Sequence, residues 1–543
     1  MMSLKSEIQN IISDTLKEKL EISATPVVQA SARSEFGDFS VNLISVIGNK
    51  KNYKTLLDSI LKFTEKKKEF FKKVEERNGF LNLFLNDYYL FGFLKDIITK
   101  GAGFGSGTQG NNKKVLVEFV STNPTGPLNI VNARAAAVGD VIVRLLNFSG
   151  YKADAEFYIN DAGRQIDMLG ISAEKRFKEA QGEKVEIPED GYKGEYIIDC
   201  IKKFVDDEKF KNMNEEQRVD FFKEYVKNEM LAWQKKSLER FGVKFKNWVS
   251  EREILNKFSV EEVVNFLRKQ GDIYKKDGAV WFASRKYGDE KDRVLIKKDG
   301  THTYIVSDAS YHKNKFERGY EHLINIWGPD HHGYVKRTKA MVESFGFDPA
   351  NLEIIIVQQV TLITKGEKKK MSKREGKFIT LDEFLDSVNK DAVRFFFLMR
   401  KTSAHLDFDV ELAKTLSLEN PVYYTQYCYA RTVNILNYAK EKGLNTDVTA
   451  DLRLLKEPHE REITKLLLLF PEVVQNATEK REVHKLPYYL LSLSKTFHSY
   501  YQKFRIVSDD IPLSRARLFL IKAVKQVMDN GLNLIGVTAP ERM

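Results

Sequence analysis

The stretch from residue 115 to residue 146, VLVEFVSTNPTGPLNIVNARAAAVGDVIVRLL, decides the fold of this chain. Its first six residues are apolar and rich in valine apart from Glu118, a pattern typical of a parallel strand covered on both faces. A loop with Pro124, Gly126 and Pro127 follows, and the next apolar residues recur at helical spacing until Gly150. A strand, a tight loop and a helix in this order predict an α/β domain with a nucleotide site at the loop.

Glu118 is the unusual residue of the predicted strand. A carboxylate in a buried strand is costly unless a cation meets it. Open α/β sheets also bind their ligands at the carboxyl ends of the strands. This stretch alone favours two interpretations about equally: Glu118 forms a structural ion pair inside the sheet, or it contacts a ligand at the edge of the sheet.

Residues 121–140, STNPTGPLNIVNARAAAVGD, resemble the signature segment of class I aminoacyl-tRNA synthetases, and within that class they are similar to the arginyl-tRNA synthetase family. In the family, Pro-Leu is followed by His, Ile or Val, Gly and His, whereas this chain has the tetrad Asn129, Ile130, Val131 and Asn132. The resemblance implies a catalytic role for Asn129 and Asn132, because the family's histidines donate hydrogen bonds to the ATP phosphates. A carboxamide keeps a donor but carries no charge.

The same resemblance assigns Pro127 and Val131 to the ATP site and Asn123 to the arginine site. In the family, the glycine at the third position of the tetrad lets the adenine ring lie against the start of the helix. The isopropyl group of Val131 is therefore predicted to crowd the adenine. We therefore expect this chain to activate its amino acid more slowly than a family member with both histidines does.

A second set of motifs begins at residue 303. In the segment TYIVSD, Tyr304 and Asp308 match the family residues that hold the substrate amino acid. A guanidinium group pairs best with planar carboxylates that accept two hydrogen bonds. Glu118, Asp308 and Asp330 lie at three predicted strand ends, and the resemblance assigns all three to arginine binding.

His331 and His332 follow Asp330 directly. Two adjacent histidines are candidate metal ligands, but no third ligand stands at a usual spacing. The family's Gly-x-Asp-His-His motif instead assigns His331 to the ATP site. For His332, an ordinary loop histidine remains an open interpretation.

The lysine-rich segment 365–377, KGEKKKMSKREGK, follows the last predicted strand of the nucleotide fold. A charge run of this kind is by itself a solvated loop or a localisation signal. Its residues Lys370, Met371, Ser372, Lys373 and Arg374 resemble the KMSKS-type motif of class I synthetases. The resemblance implies that Lys370 and Lys373 neutralise the departing pyrophosphate, and that Met371 and Ser372 contact ATP.

Four segments of the chain are predicted. Residues 1–100 form a small α+β domain that resembles the family's additional N-terminal domain, through EFGDF at 35–39 and GFLN at 79–82, and this implies tRNA contact. The Gly-rich residues 101–112 form a linker, interpreted as a flexible joint because their G-x-G-x-x-G pattern precedes a strand instead of following one. Residues 113–385 form a Rossmann-type catalytic domain with an inserted domain at about residues 170–290, to which we assign no chemistry. Residues 386–543 form an all-α domain that resembles a DALR-type anticodon-binding bundle.

Composition agrees with a multidomain protein and argues against a membrane-spanning protein and against one held together by disulfides or zinc. The chain has 543 residues, of which 42% are hydrophobic, and its longest apolar run is far too short to cross a bilayer. Its two cysteines predict neither a disulfide framework nor a protein-bound zinc site, which favours a reducing, cytoplasmic location. The formal charge of +11 favours a polyanionic partner, although excess lysine also serves solubility.

The resemblance as a whole implies an arginine–tRNA ligase. Its expected substrates are arginine, ATP with Mg²⁺ and tRNA-Arg, and a monomer is expected. One alternative is a synthetase-derived protein that binds tRNA but activates arginine weakly or not at all, a hypothesis that rests on the altered tetrad. A small-molecule nucleotidyltransferase is a third interpretation, but such an enzyme needs no long helical domain with tRNA-type motifs.

Overall fold

The structure, a computed structural model, describes residues 4–31, 34–47, 54, 57–58, 61–62, 69–369, 379–444 and 450–543. The N-terminal part contains helices α1 (Leu4–Leu20), α2 (Leu43–Ile47) and α3 (Asp87–Lys100), and strands β1 (Val28–Ala30), β2 (Phe39–Asn42), β3 (Phe71–Arg77) and β4 (Phe80–Leu85). The strands form an antiparallel sheet in the order β1-β2-β4-β3. The apolar stripe of α1, with Ile8, Ile12 and Leu16, shares a core with Leu81 and Leu83 of β4.

A five-stranded parallel sheet forms the centre of the molecule. Its strands are β5 (Lys114–Glu118), β6 (Lys152–Ile159), β7 (Asn247–Ser250), β11 (His322–Trp327) and β12 (Leu352–Ile356), in the order β12-β11-β5-β6-β7. In the register of the sheet, Glu118 lies beside Asn325 of β11 and Glu156 of β6. The carboxyl edge of the sheet therefore carries polar side chains, as a ligand-binding α/β sheet does. The predicted α/β Rossmann-type class is confirmed.

Helix α4 (Ile130–Phe148) follows β5 and packs on this sheet. Gly139 is needed for the close approach, because a Cβ atom there would lie 2.2 Å from the ring of Phe119. Arg134, fully buried on α4, donates to the carbonyl oxygens of Gln358, Lys401 and Ala404. These bonds fix α4 against the chain beyond the sheet.

The chain between β6 and β11 differs from the continuous insertion predicted at about residues 170–290. Helices α5 (Arg164–Ala180), α6 (Glu195–Ile201), α7 (Glu208–Asn212) and α8 (Glu215–Arg240) come first, and the chain then returns to the central sheet as β7. After β7 come α9 (Glu251–Lys257), α10 (Val260–Lys269) and an antiparallel sheet of β8 (Ile273–Lys276), β9 (Ala279–Phe282) and β10 (Arg293–Ile296). The prediction missed β7 because its four residues, NWVS, show no apolar run and become a strand only by pairing with β6.

Before the C-terminal helices come α11 (Tyr304–Glu317), α12 (Val335–Ser344), β13 (Val360–Thr364), β14 (Glu367–Lys369), α13 (Leu381–Ser387), α14 (Lys390–Met399), β15 (Leu406–Asp409) and α15 (Val410–Lys414). Because β15 pairs with β13, the part predicted to be all-α from residue 386 becomes purely helical only after β15. Four long helices end the chain: α16 (Pro421–Glu441), α17 (Pro458–Lys480), α18 (Lys485–Lys503) and α19 (Ile511–Leu534). The predicted helical C-terminal domain is confirmed. Arg394 of α14 joins this bundle to α4 on the central sheet, because it pairs with Asp140 of α4 and donates to the carbonyl of Ile535.

The Gly-rich segment 101–112 is packed, in contrast to the predicted flexible joint. Asn530 of α19 donates from Nδ2 to the carbonyl oxygens of Gly101 and Phe104, each at 3.0 Å. The side chain of Phe104 is buried and stacks on Phe470 of α17. Glycine content predicted mobility, but these contacts come from residues more than 300 positions later in the chain, and local composition cannot reveal them.

Among the described residues, no helix has the length and apolarity that a membrane span requires.

Candidate active site

The loop between β5 and α4 leaves the sheet through a strained turn. Val120 and Ser121 have φ angles of +70° and +39°, a region that L-residues rarely occupy. The hydroxyl of Ser121 donates to Glu118 Oε1 at 2.8 Å, which ties the turn to the strand before it. Strained backbone of this kind is typical of functional loops.

Glu118 has its cation inside the protein. The ammonium group of Lys315, on α11, lies 2.5 Å from Glu118 Oε2 and is fully buried. Lys315 also donates to Asn325 Oδ1 at 3.0 Å and lies 4.1 Å from the centre of the Tyr311 ring. The ion-pair interpretation of Glu118 is therefore confirmed, and a contact to arginine stays a prediction.

A buried histidine supports this ion pair. Nε2 of His312 accepts from Nδ2 of Asn325 at 2.8 Å, and its Nδ1 lies 2.7 Å from the carbonyl oxygen of Asp308. Because Nε2 accepts, the proton is on Nδ1, where it donates to that carbonyl. Burial lowers the pKa of His312 to about 3, so the ring is neutral. Hydrogen bonds that run from the Asp308 carbonyl through His312 and Asn325 to Lys315 hold the ammonium group of Lys315 against Glu118.

Asp308 lies on the second turn of α11, so the predicted position at a strand end is wrong. The prediction failed because TYIVSD is β-branched and apolar enough to suggest a strand, whereas it forms the start of a helix. Burial raises the pKa of Asp308 to about 6, the nearby charge of Arg337 opposes the rise, and the charge of Glu118 adds to it. Tyr304, one turn earlier, is 65% exposed at the helix start.

Glu251 is a candidate site residue that sequence reasoning missed. It is buried at the first position of α9, and burial together with the charges of Asp308 and Asp161 raises its pKa to about 7. Hydrogen bonds to Ser307 and Tyr158 oppose the rise. In the sequence, Glu251 stands directly after β7, where a ligand contact is expected, but the prediction did not recognise β7 as a strand.

The carboxylates converge around one tyrosine. Burial raises the pKa of Tyr158 well above its usual range, and the charges of Glu251, Asp308, Glu118 and Asp161 add to the effect. The ring of Tyr158 stacks on Tyr311 with 4.2 Å between the ring centres. Asp161 accepts hydrogen bonds from the hydroxyl of Ser250 and so holds the start of α9 in place. Lys315 compensates Glu118, and the charge of Arg337 acts on Asp308. The half-buried Asp308 and the buried Glu251 are therefore carboxyl groups whose charged forms a cationic ligand would stabilise further.

Two other predicted arginine contacts, Asn123 and Asp330, are half-buried and exposed respectively. Asn123 donates to Oε1 of Gln165, on α5. Asp330 and His331 are exposed on the turn Pro329–Tyr334, and the ring of His331 lies 5.9 Å from Trp327 and 5.5 Å from Tyr334. A cavity of about 330 Å³ opens beside Asp161 at the carboxyl end of β6. The structure thus brings Glu118 and Asp308 together and leaves Asp330 at the surface.

The altered tetrad forms the start of α4. Asn129 is the N-cap, and its Oδ1 accepts from the backbone amides of Val131 and Asn132 at 3.0 and 3.1 Å. Oδ1 of Asn132 accepts in return from the Asn129 amide at 3.1 Å, which completes a capping box. Nδ2 of Asn132 donates to Oγ1 of Thr122 at 2.9 Å. Both polar groups of the Asn132 side chain are therefore already hydrogen-bonded. Nδ2 of Asn129, by contrast, has no hydrogen-bond partner among the residues that the structure describes.

Two predicted ATP contacts adjoin the cap. Pro127 is buried, and Val131 is half-buried and packs against the main hydrophobic core. The predicted catalytic Lys370 and Lys373 and the predicted ATP contacts Met371 and Ser372 lie outside the described residues. Thr380, just after that segment, forms an antiparallel β-bridge with Asn129. The first described residues after the lysine-rich segment therefore lie beside the tetrad.

Two features distant from the sheet bear on RNA binding. Asp38 of the EFGDF segment is buried, accepts from the Leu85 amide and pairs with Arg461 and Lys465 of α17, so it joins the N-terminal part to the helical bundle. On α16, the guanidinium of Arg431 lies 4.4 Å from the ring centre of Tyr427 and 4.6 Å from that of Tyr501. Partly exposed aromatic and arginine groups of this kind stack on unpaired bases.

Comparison with known proteins is consistent along the chain. The family described as "tRNA synthetases class I (R), catalytic domain" matches residues 93–406, "Arginyl tRNA synthetase N terminal domain" matches residues 3–85, and "DALR anticodon binding domain" matches residues 425–543.

Relatives of similar length carry one name. The chain is 41% identical to an arginine–tRNA ligase of Syntrophotalea carbinolica, over 99% of this chain and 100% of the relative. It is 40% identical to that of Bacillus subtilis, over 99% and 95%. The solved structure of Thermus thermophilus arginyl-tRNA synthetase superposes with a TM-score of 0.79 at 20% identity, over 99% of this chain and 100% of that one.

Proposed function

The chain belongs to the arginyl-tRNA synthetase family, and from this premise we propose that it is an arginine–tRNA ligase that activates arginine with ATP and transfers it to tRNA-Arg. In the first step, an oxygen of the arginine carboxylate attacks the α-phosphorus of ATP, the bond to the β-phosphate oxygen breaks, and pyrophosphate leaves. In the second step, the 2′-hydroxyl of the terminal tRNA adenosine takes the arginyl group and AMP leaves. Positioning and charge neutralisation supply the catalysis, because neither step needs a protein nucleophile.

The observation that supports this proposal most strongly is that the half-buried Asp308 lies close enough to the buried Glu251 for its charge to raise the pKa of Glu251. Burial raises the pKa of both carboxyl groups, to about 6 and about 7, so a cation that enters the cluster stabilises their charged forms. A guanidinium group is planar and always charged, and it can donate to both carboxylates at once. Lys315 already compensates Glu118, which makes Glu118 a boundary of the pocket and a secondary contact.

The start of α4 is the proposed phosphate end of the site. The positive end of the helix dipole favours an anion, and Nδ2 of Asn129 adds a neutral donor, whereas the amides of Val131 and Asn132 already donate to Asn129 Oδ1. ATP enters as its Mg²⁺ complex, which is a substrate. Lys370 and Lys373 are proposed to neutralise pyrophosphate, and Pro127, Val131, His331, Met371 and Ser372 to contact ATP. Tyr304, Asn123 and Asp330 are proposed to complete the arginine site.

The flanking parts of the chain are the proposed tRNA-binding regions. The net charge of +11 favours a polyanion, and the cluster of Tyr427, Arg431 and Tyr501 offers stacking surfaces. The proposed domain division is residues 1–100, 101–112, 113–385 and 386–543, except that β15 pairs with β13 and so lies with residues 113–385. We further propose that the protein is a cytoplasmic monomer. Analytical ultracentrifugation would test this by measuring its mass in solution.

Arginine-dependent exchange of pyrophosphate into ATP tests the first step. Exchange is expected with arginine and tRNA-Arg present, and not with citrulline, which has the same shape without the charge. Equal exchange with citrulline contradicts the carboxylate pocket, and no exchange with arginine contradicts the ligase assignment. Filter binding of tRNA-Arg and of other tRNAs across a range of salt concentrations tests the partner, and equal affinities at moderate salt contradict it.

A further inference from the structure

Helix α8 is the longest helix of the inserted segment, and one turn of it touches two separate parts of the candidate active site. Its residues Trp233, Gln234 and Ser237 contact the loop between β5 and α4 on one side and the start of α13 on the other. The first part carries Asn123 and leads into the tetrad. The second part follows the lysine-rich segment. The inserted segment, to which the sequence analysis assigned no chemistry, therefore contacts both the β5–α4 loop and the start of α13.

Gln234 holds the loop. Its side chain is fully buried, and Nε2 donates to the carbonyl oxygens of Asn123 and Gly126 at 3.1 and 2.8 Å. Its Oε1 is buried without a hydrogen-bond partner among the described residues. An unpaired buried oxygen destabilises a protein, so stability alone does not account for this amide. The hydroxyl of Tyr196 on α6 adds a third bond to the same loop, to the carbonyl of Thr125 at 2.8 Å.

Trp233 and Ser237 hold the start of α13. Nε1 of Trp233 donates to Oδ2 of Asp382 at 2.7 Å, and the hydroxyl of Ser237 donates to the same oxygen at 2.5 Å. One turn further along α8, Arg240 pairs with Asp386 at 2.5 Å. These residues recur at spacings of three and four, so one face of α8 covers α13.

The loop and α13 also contact each other directly. The amide of Leu381 donates to the carbonyl of Leu128 at 2.8 Å, and Thr380 forms its β-bridge with Asn129 beside that bond. Loop, α13 and α8 thus form a closed triangle of hydrogen bonds. We expect the loss of a contact in this triangle to shift the tetrad relative to the residues that follow the lysine-rich segment.

We propose that Gln234 and Trp233 are positioning residues for amino-acid activation, because they set the spacing between the loop that carries Asn123 and the tetrad and the helix that follows the lysine-rich segment. This inference rests on the proposed function. Reactions that depend on positioning lose rate when reacting groups shift by about 1 Å. Neither residue touches a reacting atom, and both act through the backbone that they hold.

Gln234→Met and Trp233→Phe test the proposal, since each keeps the approximate shape and removes the donor. In pyrophosphate exchange with saturating arginine, ATP and tRNA-Arg, each variant is expected to lose at least tenfold in kcat. The affinity for tRNA-Arg in filter binding is expected to stay within twofold of the parent, because the flanking domains are untouched. Lys236→Met, on the exposed side of the same turn, is the matched control and is expected to keep the parent's kcat.

The outcomes separate this inference from the proposed function. A parent protein without arginine-dependent exchange overturns the function itself and this inference with it. An active parent whose two variants both keep kcat within twofold overturns the inference alone. A rate loss that comes with an equal loss of tRNA affinity also overturns it, because it shows a structural role. If Gln234→Met does not fold, the result for Trp233→Phe decides.

Discussion

The two ends of the candidate site are built in different ways. At the carboxylate end, Glu118, Asp308 and Glu251 come from a strand and two helices, and residues distant in the sequence, such as Lys315 and Asn325, hold them. At the phosphate end, the tetrad asparagines bond to each other and to Thr122, within eleven residues of chain from 122 to 132. Long-range packing builds the proposed cation pocket, whereas local capping shapes the start of α4. Substitutions at the first end should therefore change stability or arginine affinity strongly, and those at the second end should change the rate and the stability of the helix start by smaller amounts.

Lys315→Met should have the largest effect. It leaves Glu118 buried without its cation, and removing one partner of a buried ion pair costs about 3–5 kcal/mol. The free energy of unfolding, measured by urea denaturation, should fall by that order. The matched control is Lys313→Met on the same helix, whose partly exposed pair with Glu317 should contribute about 1 kcal/mol or less.

The double variant Lys315→Met with Glu118→Gln sharpens this test. It removes the unpaired charge and should recover most of the lost stability. If Lys315→Met and Lys313→Met lower stability equally, the carboxylate end is not the long-range structure that the comparison requires.

Asp308→Asn should have the next largest effect, on arginine and not on stability. The carboxamide keeps the shape of the side chain but leaves a buried guanidinium without its charged partner, a loss of about 3 kcal/mol. The Kd for arginine in calorimetry should rise by roughly a hundredfold. Asp330→Asn, on the exposed turn, should change it by less than tenfold. Equal effects of the two substitutions would move the guanidinium from the buried cluster to the surface.

Sequence reasoning found the parts of the molecule whose signals are local. The strand β5 and the helix α4 follow from periodicity within residues 115–146, and the capping role of Asn129 agrees with the preference of asparagine for that position. The helical C-terminal bundle and the N-terminal domain followed from resemblance, and the comparisons bear both out.

The carboxylate end was found only in part, because its logic is tertiary. Glu118 was recognisable as a charge in a buried strand, but nothing in the sequence names Lys315, 197 positions later, as its partner. Glu251 was missed because β7 is a strand only through its pairing with β6. His312 and Asn325 were missed because a lone histidine and a lone asparagine carry no signal until the fold brings them together.

The pH dependence of arginine binding offers a smaller and independent test. Burial raises the pKa of Asp308 to about 6 and that of Glu251 to about 7, and a guanidinium binds the ionised forms. As the pH falls from 8 through these values, protons compete with arginine, so the KM for arginine should rise, by more than tenfold at about pH 6. The KM for ATP serves as the internal control, and Glu251→Gln should flatten the upper part of the arginine profile. Parallel changes in both constants would contradict a titration confined to the carboxylate end.

The smallest effect is expected at the phosphate end, from the triple change Asn129→His, Val131→Gly and Asn132→His. Hydrogen bonds from a charged donor are about twice as strong as those from a neutral one, so imidazolium groups at the ATP phosphates should recover about 1 kcal/mol in the transition state. That corresponds to a rise of about fivefold in arginine-dependent pyrophosphate exchange.

The structure adds an opposing effect to this prediction. The same substitutions remove the capping box of α4, which should lower the free energy of unfolding by about 1 kcal/mol. Val131→Gly alone keeps the cap and should mainly lower the KM for ATP by relieving the adenine, which separates crowding from charge. A triple variant that is less stable but faster supports a phosphate end that local capping has shaped. A variant that is less stable and no faster would mean that the start of α4 serves the fold and not the phosphates, and the contrast between the two ends would then be one between a binding pocket and a structural cap.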